Sequence, residues 1–261
     1  MSFLNEIIVN QRRKVEKQKA TLSRLKIEGD PQFDRPILSM VSALEKSETG
    51  IIAEFKRKSP SKGWFKPAHF NVDQVVKAYK DGGAAGISIL TEEDFFGGSL
   101  KDLEQARKLG KMPLLRKDFI LDPWQIAESK QTGADLILLI AACLSSKEVI
   151  ELARYGKSIG LEVLLEIHNE KELDHICEEV DLVGINNRNL ENFDVNIETS
   201  FRLIEKMEGK PAIAESGISN THTLIELKQA GFTGFLIGER FMKEPDPGKA
   251  FKDFVAGLTP G

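Results

Sequence analysis

From residue 50 onward, short apolar runs alternate with longer stretches in which apolar residues recur every three or four positions. The short runs are "IIAEF" (51–55), "GISIL" (86–90), "PLLR" (113–116), "DLILLI" (135–140), "LEVLLEI" (161–167), "LVGIN" (182–186), "PAIAES" (211–216) and "GFLIG" (234–238). Their length and near-continuous apolar character predict buried strands of a parallel sheet covered on both faces. Between them the helical period predicts helices over 71–82, 99–110, 122–133, 145–160, 169–180, 196–207 and 220–231. A helical turn, a proline break and a final helix are expected over 239–258. Asn, Asp or Ser stands at several starts and Gly at several ends, as helix termini require.

Upstream, residues 3–26 are helical in pattern, with Leu4, Ile7, Ile8, Val15, Leu22 and Leu25 apolar between charged neighbours. A link, "GDPQFDRP", and a short helical piece around 37–44 follow, so this preamble is an addition to the fold that comes next. Eight strand–helix units in a chain of 261 residues fit a closed (β/α)8 TIM barrel better than an open doubly wound sheet, although the local pattern is the same in both. The expected organisation is one barrel domain over 1–261, with 1–49 as an N-terminal helical extension.

Charge narrows the function classes. The formal net charge is −4, from 36 basic and 40 acidic residues spread along the chain, which argues against nucleic acid or an anionic membrane as partner. Anion binding must therefore come from a local cluster. The N-terminus lacks the apolar core and cleavage site of a secretory signal, and no apolar run approaches the roughly 20 residues of a membrane span, so a cytoplasmic protein is expected. Cys143 and Cys177 form no CxxC motif and read as buried thiols. There is no GxGxxG after the first strand, no GxxxxGK[ST], no HExxH and no GxSxG, which argues against a dinucleotide site, a P-loop, a zinc site and a serine hydrolase.

In a barrel, chemistry sits where strands run into the following loops. Most charged side chains are solvated, but charges inside apolar strand ends are costly to bury without partners. By that rule Glu54 and Lys56, two apart and so on one strand face, stand at the end of the first strand. Lys117 ends the third, Glu166 the fifth, Asn186 and Arg188 the sixth, and Glu215 with Ser216 the seventh. His168 follows the fifth strand, where it can support Glu166. Phe95, Phe96 and Phe119 follow the second and third strands, where an aromatic substrate ring can stack and where rim packing is equally served. Gly217 and Gly238 follow the late strands, a common place for phosphate in barrels, with Ser59 and Lys56 able to close that site. At Glu239 only the backbone N–H is expected to serve an anion.

These motifs, in order, resemble the indole-3-glycerol phosphate synthase family: "IIAEFKRKSPSKG" (51–63), "ISILTEEDFFGGSLKDL" (87–103), "PLLRKDFILDPWQI" (113–126), "GADLILLI" (133–140), "LEVLLEIHN" (161–169), "VGINNRNL" (183–190), "AESGI" (214–218) and "FLIGERFM" (235–242). The resemblance implies a (β/α)8 barrel that closes the indole ring of 1-(2-carboxyphenylamino)-1-deoxyribulose 5-phosphate, releasing carbon dioxide and water, with no metal or organic cofactor. By motif match it implies Lys117 as general acid and Glu166 as the carboxylate of later acid–base work. Glu54 and Lys56 become a supporting carboxylate and a lysine near the substrate carboxylate. Asn186, Arg188 and Glu215 fall on substrate positions, and Ser59, Ser216, Gly217 and Gly238 on the phosphate side. The role of Asn187 is left open. Carboxylates raise and desolvation lowers the pKa of Lys117, so its working value does not follow from sequence.

Two other readings keep part of the pattern. A phosphate-binding barrel such as phosphoribosylanthranilate isomerase would retain "AESGI" and "FLIGE" without needing "EFKRKSPS" and "LRKDF" together. A noncatalytic phosphometabolite-binding barrel would not need Lys117, Glu166 and Glu54. The expected partner is a phosphorylated small molecule, and the chain is expected to be a monomer or weak homo-oligomer.

Overall fold

The structure, a computed structural model, describes residues 3–207 and 209–258, so the outermost residues of the expected 1–261 domain lie outside the described residues. Among the described residues, eight parallel strands close a barrel: β1 Ile51–Phe55, β2 Gly86–Leu90, β3 Leu114–Lys117, β4 Leu136–Ile140, β5 Glu162–Ile167, β6 Leu182–Asn186, β7 Ala212–Glu215 and β8 Gly234–Ile237. Each strand pairs with the next in chain order, and β8 returns to β1 with Phe235 opposite Ile51. All eight expected strands form, and each boundary that differs is displaced by one residue.

Strand alternation sorts the side chains into two cores. Ile52, Leu115, Leu136, Leu138, Leu164, Leu182, Ile213 and Leu236 pack inside the barrel. Their neighbours Ile51, Ala53, Ile87, Ile137, Val163, Val183 and Phe235 face the surrounding helices. Those helices are α4 Val72–Asp81, α5 Leu100–Lys108, α6 Pro123–Thr132, α7 Ser146–Ser158, α8 Glu198–Ile204, α9 Thr221–Gln229, α10 Glu239–Met242 and α11 Pro247–Ala256. Asn71, Ser99, Asp122, Ser145, Asn220 and Asp246 cap six of them by accepting from first-turn backbone N–H groups.

Three local readings change. The expected helix over 169–180 is a 3-10 run, Glu170–His175, because Ile176 turns extended at φ −69° and ψ 121°. Leu173, Ile176 and Cys177 still pack on the core, so one short turn buries the apolar positions that suggested a longer helix. A small hairpin, Lys58–Ser59 with Gly63–Trp64, forms after β1 where only a loop was expected. Cys143 and Cys177 are free and half-buried rather than fully buried.

The preamble covers both ends of the barrel. It forms α1 Phe3–Thr21, α2 Arg24–Glu28 and α3 Met40–Lys46. A break at Leu22 and Ser23 resets the helical phase, leaving Leu25 76% exposed while Ile27 is fully buried. At the bottom, Met40 and Leu44 of α3 join the interior core. Buried Glu162 of β5 accepts from Ser39 Oγ at 2.5 Å and from Met40 N at 2.7 Å, so a carboxylate meets the start of α3. At the top, α1 is tied to the loops after β2 and β3 by Lys14 to Asp94 (2.7 Å), Lys14 to Glu92 (3.2 Å) and Gln11 to Asp118 (3.2 Å). No described helix is long and apolar enough to cross a membrane.

Asp135, fully buried before β4, anchors the link into α3. It accepts from Arg35 Nη1 at 2.6 Å, Leu38 N at 3.1 Å, Leu114 N at 2.9 Å and Arg107 Nη2. Removing this carboxylate strands two largely buried guanidinium groups, so Asp135→Ala should cost about 3–5 kcal/mol in denaturant unfolding. A midpoint equal to that of the unaltered protein would contradict this anchoring role.

Candidate active site

The inward-facing ends of β1, β3, β5, β6 and β7 converge on one cavity of about 320 Å³, at the lower end of the roughly 300–1,000 Å³ usual for small-molecule sites. Lys117 stands at its centre. Its Nζ donates to Glu166 Oε2 at 2.5 Å and to Glu215 Oε2 at 2.7 Å. At the end of β1, separated from β3 by β2 and from β7 by β8, Lys56 Nζ lies 2.7 Å from Glu54 Oε1. Barrel register explains the gathering: Asn186 sits opposite Glu215, and Lys117 opposite Leu90.

Two glycines, Gly184 within β6 and Gly238 just after β8, make room for these carboxylates. A Cβ at Gly184 would collide with Glu215 Oε1, and one at Gly238 with Glu54 Oε1. Gly238 therefore has a packing reason to be glycine as well as the expected place beside an anion. Beyond β7, Ser216 and Gly217 both adopt left-handed backbone at φ 64° and 79°, a conformation costly for serine. Asn187, whose role was open, holds that turn: its Nδ2 donates to Ser216 O at 3.1 Å, while its Oδ1 accepts from Ser200 N and Oγ.

The buried charges perturb one another. Burial draws Lys117 down, but Glu166, Glu215 and Glu54 more than offset it and hold the ammonium well above an ordinary lysine. Burial pushes Glu166 up, yet Lys117 and His168 hold it well below the usual carboxylate range. Glu215 takes the opposite course. Burial pushes it up, Lys117 draws it back, and neighbouring Glu166 raises it again, to about 7. Its Oε1 is buried without a hydrogen-bond partner, which agrees with that direction.

Of the remaining residues expected here, Ser59, Asn186, Arg188, Phe96, Phe119, Ser216, Gly217, Gly238 and Glu239 all line the cavity. Phe95 does not line it: its ring packs edge-on against Phe3, with centroids 5.3 Å apart. Phe96 and Phe119 lie 6.1 Å apart on one wall. Glu239 turns its carboxylate to Arg188, 3.2 Å away, joining the loops after β6 and β8. Ser59 Oγ is buried without a partner. Sequence reasoning missed Phe3, Leu4 and Ile7 of α1, and also Glu92, Arg240 and Lys243, on the same lining. The helical stripe of α1 was visible, but nothing local in it says which surface it covers. Among the described residues no group of three or more His, Cys, Asp or Glu could hold a metal ion.

The family model for indole-3-glycerol phosphate synthase matches residues 4–254. The chain belongs to the indole-3-glycerol phosphate synthase family. An indole-3-glycerol phosphate synthase of Bacteroides thetaiotaomicron is 46% identical over 257 residues, covering 98% of each chain. Another, of Carboxydothermus hydrogenoformans, is 39% identical over 97% of this chain and all of its own length. Among solved structures, the tryptophan synthase A-subunit of Pyrococcus furiosus superposes with a TM-score of 0.60 at 13% identity, over 81% of this chain and 98% of that one, a likeness of fold alone. The family match thus runs from the start of α1 into α11.

Glu215 gives a test on stability. Its carboxyl is raised in the fold from an ordinary 4.5 to about 7, so the unfolded chain releases that proton first as pH rises. Its contribution to stability is full below 4.5 and is lost as pH climbs through 7. Glu215→Gln should remove that loss, so its melting temperature relative to the unaltered protein should climb from acid to mildly alkaline pH. A difference constant across that range would show an unshifted carboxyl.

Proposed function

We infer that this chain closes the indole ring, converting 1-(2-carboxyphenylamino)-1-deoxyribulose 5-phosphate to indole-3-glycerol phosphate, carbon dioxide and water. The observation that carries the residue roles is the Lys117 ammonium held between Glu166 and Glu215 in a cavity of suitable size, in a chain of this family. In the reaction, the ring carbon bearing the carboxylate attacks the ribulose carbonyl. Negative charge develops on the carbonyl oxygen, and Lys117 delivers a proton to it. Such a positioned acid contributes about 10²- to 10⁴-fold. Loss of carbon dioxide returns its bonding electrons to the ring system. Water then leaves as the new hydroxyl takes a proton and the adjacent carbon gives one up, with Glu166 as the carboxylate for these transfers.

The same reading assigns the rest of the wall. Lys56, next to Glu54, orients the substrate carboxylate without holding it so tightly that carbon dioxide cannot leave. Asn186, Arg188 and Glu215 contact the sugar portion, and Phe96 and Phe119 flank the aromatic ring. Phosphate lies against Ser59, Ser216, Gly217 and Gly238, with the Glu239 N–H nearby. The buried Ser59 hydroxyl, free to donate, supports that placement, as does the turn of Glu239 away toward Arg188. Residues 1–49 act as an extension of one barrel domain, and the enzyme works in the cytoplasm as a monomer or weak homo-oligomer without metal or organic cofactor.

Indole fluorescence should appear when the purified protein meets the carboxyphenylamino-deoxyribulose phosphate. Lys117→Met should fold, bind substrate and lose nearly all turnover. Glu166→Gln should cut turnover far more than stability. A fully active Lys117→Met enzyme would sink the assignment of the acid, and absence of signal from the unaltered protein would favour another phosphate-binding barrel function.

A further inference from the structure

His168 is the first residue beyond β5, two positions after Glu166, and its side chain is only 10% exposed. It does not line the cavity, so any influence on substrate passes through another group. Its two ring nitrogens face two carboxylates. Nε2 lies 3.2 Å from Glu166 Oε1, and Nδ1 lies 3.3 Å from Glu172 Oε2. The Nε2 contact is too oblique for a directed hydrogen bond, so its attraction is chiefly that between opposite charges.

Glu172 is itself fixed. Its Oε2 accepts from His168 N at 2.7 Å and its Oε1 from Asn169 Nδ2 at 2.6 Å, which folds the 3-10 turn Glu170–His175 back onto the end of β5. A neutral imidazole keeps a proton on one nitrogen only, carries no net charge and would leave a lone pair beside one of the two carboxylates. The doubly protonated ring instead sets positive charge beside both, 3.2 Å from Glu166 and 3.3 Å from Glu172. We propose that His168 is a positioning residue for Glu166: its imidazolium, clamped between Glu166 and Glu172, fixes the orientation and negative charge of the carboxylate that Lys117 holds from the other side.

The groups around the ring agree. Burial alone draws His168 down, but Glu166 and Glu172 raise it to about 9. Lys117 of β3 and Glu215 of β7 stand behind Glu166. Cys143, after β4, is pushed up to about 12 by burial and by Glu166 and Glu172, so it is a neutral neighbour at ordinary pH. With the folded value above the unfolded one, the clamp adds stability that is full below 6.5 and is lost as pH rises through about 9. The asymmetry of the two carboxylates on Lys117 then has a structural source. Glu166 has a second cation on its free oxygen, and Glu215 Oε1 has no partner.

The role of Glu166 in turnover rests on the reaction proposed above, whereas the state of His168 does not, and the test separates the two. Nitrogen-15 spectra of the unaltered protein, assigned by difference against His69, His175 and His222 variants, should show both His168 ring nitrogens protonated at neutral pH. The titration midpoint should lie near 9 and should fall in Glu172→Gln. In carbon-13 titrations of the Glu166 carboxyl, His168→Gln should move its midpoint upward by about one unit or more, because Glu166 loses a neighbouring cation. KM for indole formation at mildly alkaline pH should change little. A singly protonated ring at neutral pH would overturn the clamp, as would a His168→Gln enzyme that is slower with the Glu166 midpoint unmoved. If the unaltered protein makes no indole product, the reaction assignment fails, and the spectra alone decide for or against the clamp.

Discussion

A lysine ammonium cannot be buried at the mouth of a barrel without anions close enough to offset its lost hydration. In this fold Lys117 meets that condition with Glu166 and Glu215 at hydrogen-bond distance and Glu54 beyond them. Much of the local sequence follows from that requirement. The carboxylates need inward positions on three different strands, and strand alternation supplies them at the last inward step of β1, β5 and β7. Space is the second need, met by Gly184 and Gly238 on the adjoining strand and strand end. A rigid floor is the third. The interior leucines and isoleucines below the site, with Met40 and Leu44 of α3 beneath them, leave the charged groups only one open direction.

The N-terminal extension belongs to this arrangement rather than decorating it. Through Glu162 and Asp135, α3 and the link before it are fastened by buried carboxylates to the bottom of β4 and β5. Through Lys14, Gln11 and Asn10, α1 is fastened to the loops that follow β2 and β3. Phe3 then reaches between Phe95 and Phe193, joining the rims after β2 and β6 above the cavity. The cover narrows the opening above the charged wall, and a low-dielectric rim strengthens the field at Lys117.

The barrel strands were readable because each is a short, nearly continuous apolar run, a pattern that does not depend on distant contacts. The inward charges were readable for the same reason: Glu54, Lys56, Lys117, Glu166 and Glu215 interrupt those runs at their last positions. What sequence concealed depends on where separate segments meet. Ile7 of α1 has an ordinary helical spacing, and only the fold puts it on the cavity. The helical pattern over 169–180 was misleading because a 3-10 turn buries the same apolar residues, and Glu172 is spent on His168. Phe95 and Phe96 are adjacent, yet one meets α1 and the other the cavity, a division set by loop geometry.

Two carboxylates sharing one ammonium would be equivalent if their surroundings were equal. Here one is drawn down by a second cation and the other pushed up by burial, which divides a proton-accepting group from a proton-holding one at the same pH. Carbon-13 titration of the glutamate carboxyls in the unaltered protein, assigned with Glu166→Gln and Glu215→Gln, measures that division directly. The account predicts that Glu215 gains its proton near neutrality while Glu166 stays ionised far into the acid range. Two carboxyls titrating together at the ordinary glutamate value, or in the reverse order, would contradict it.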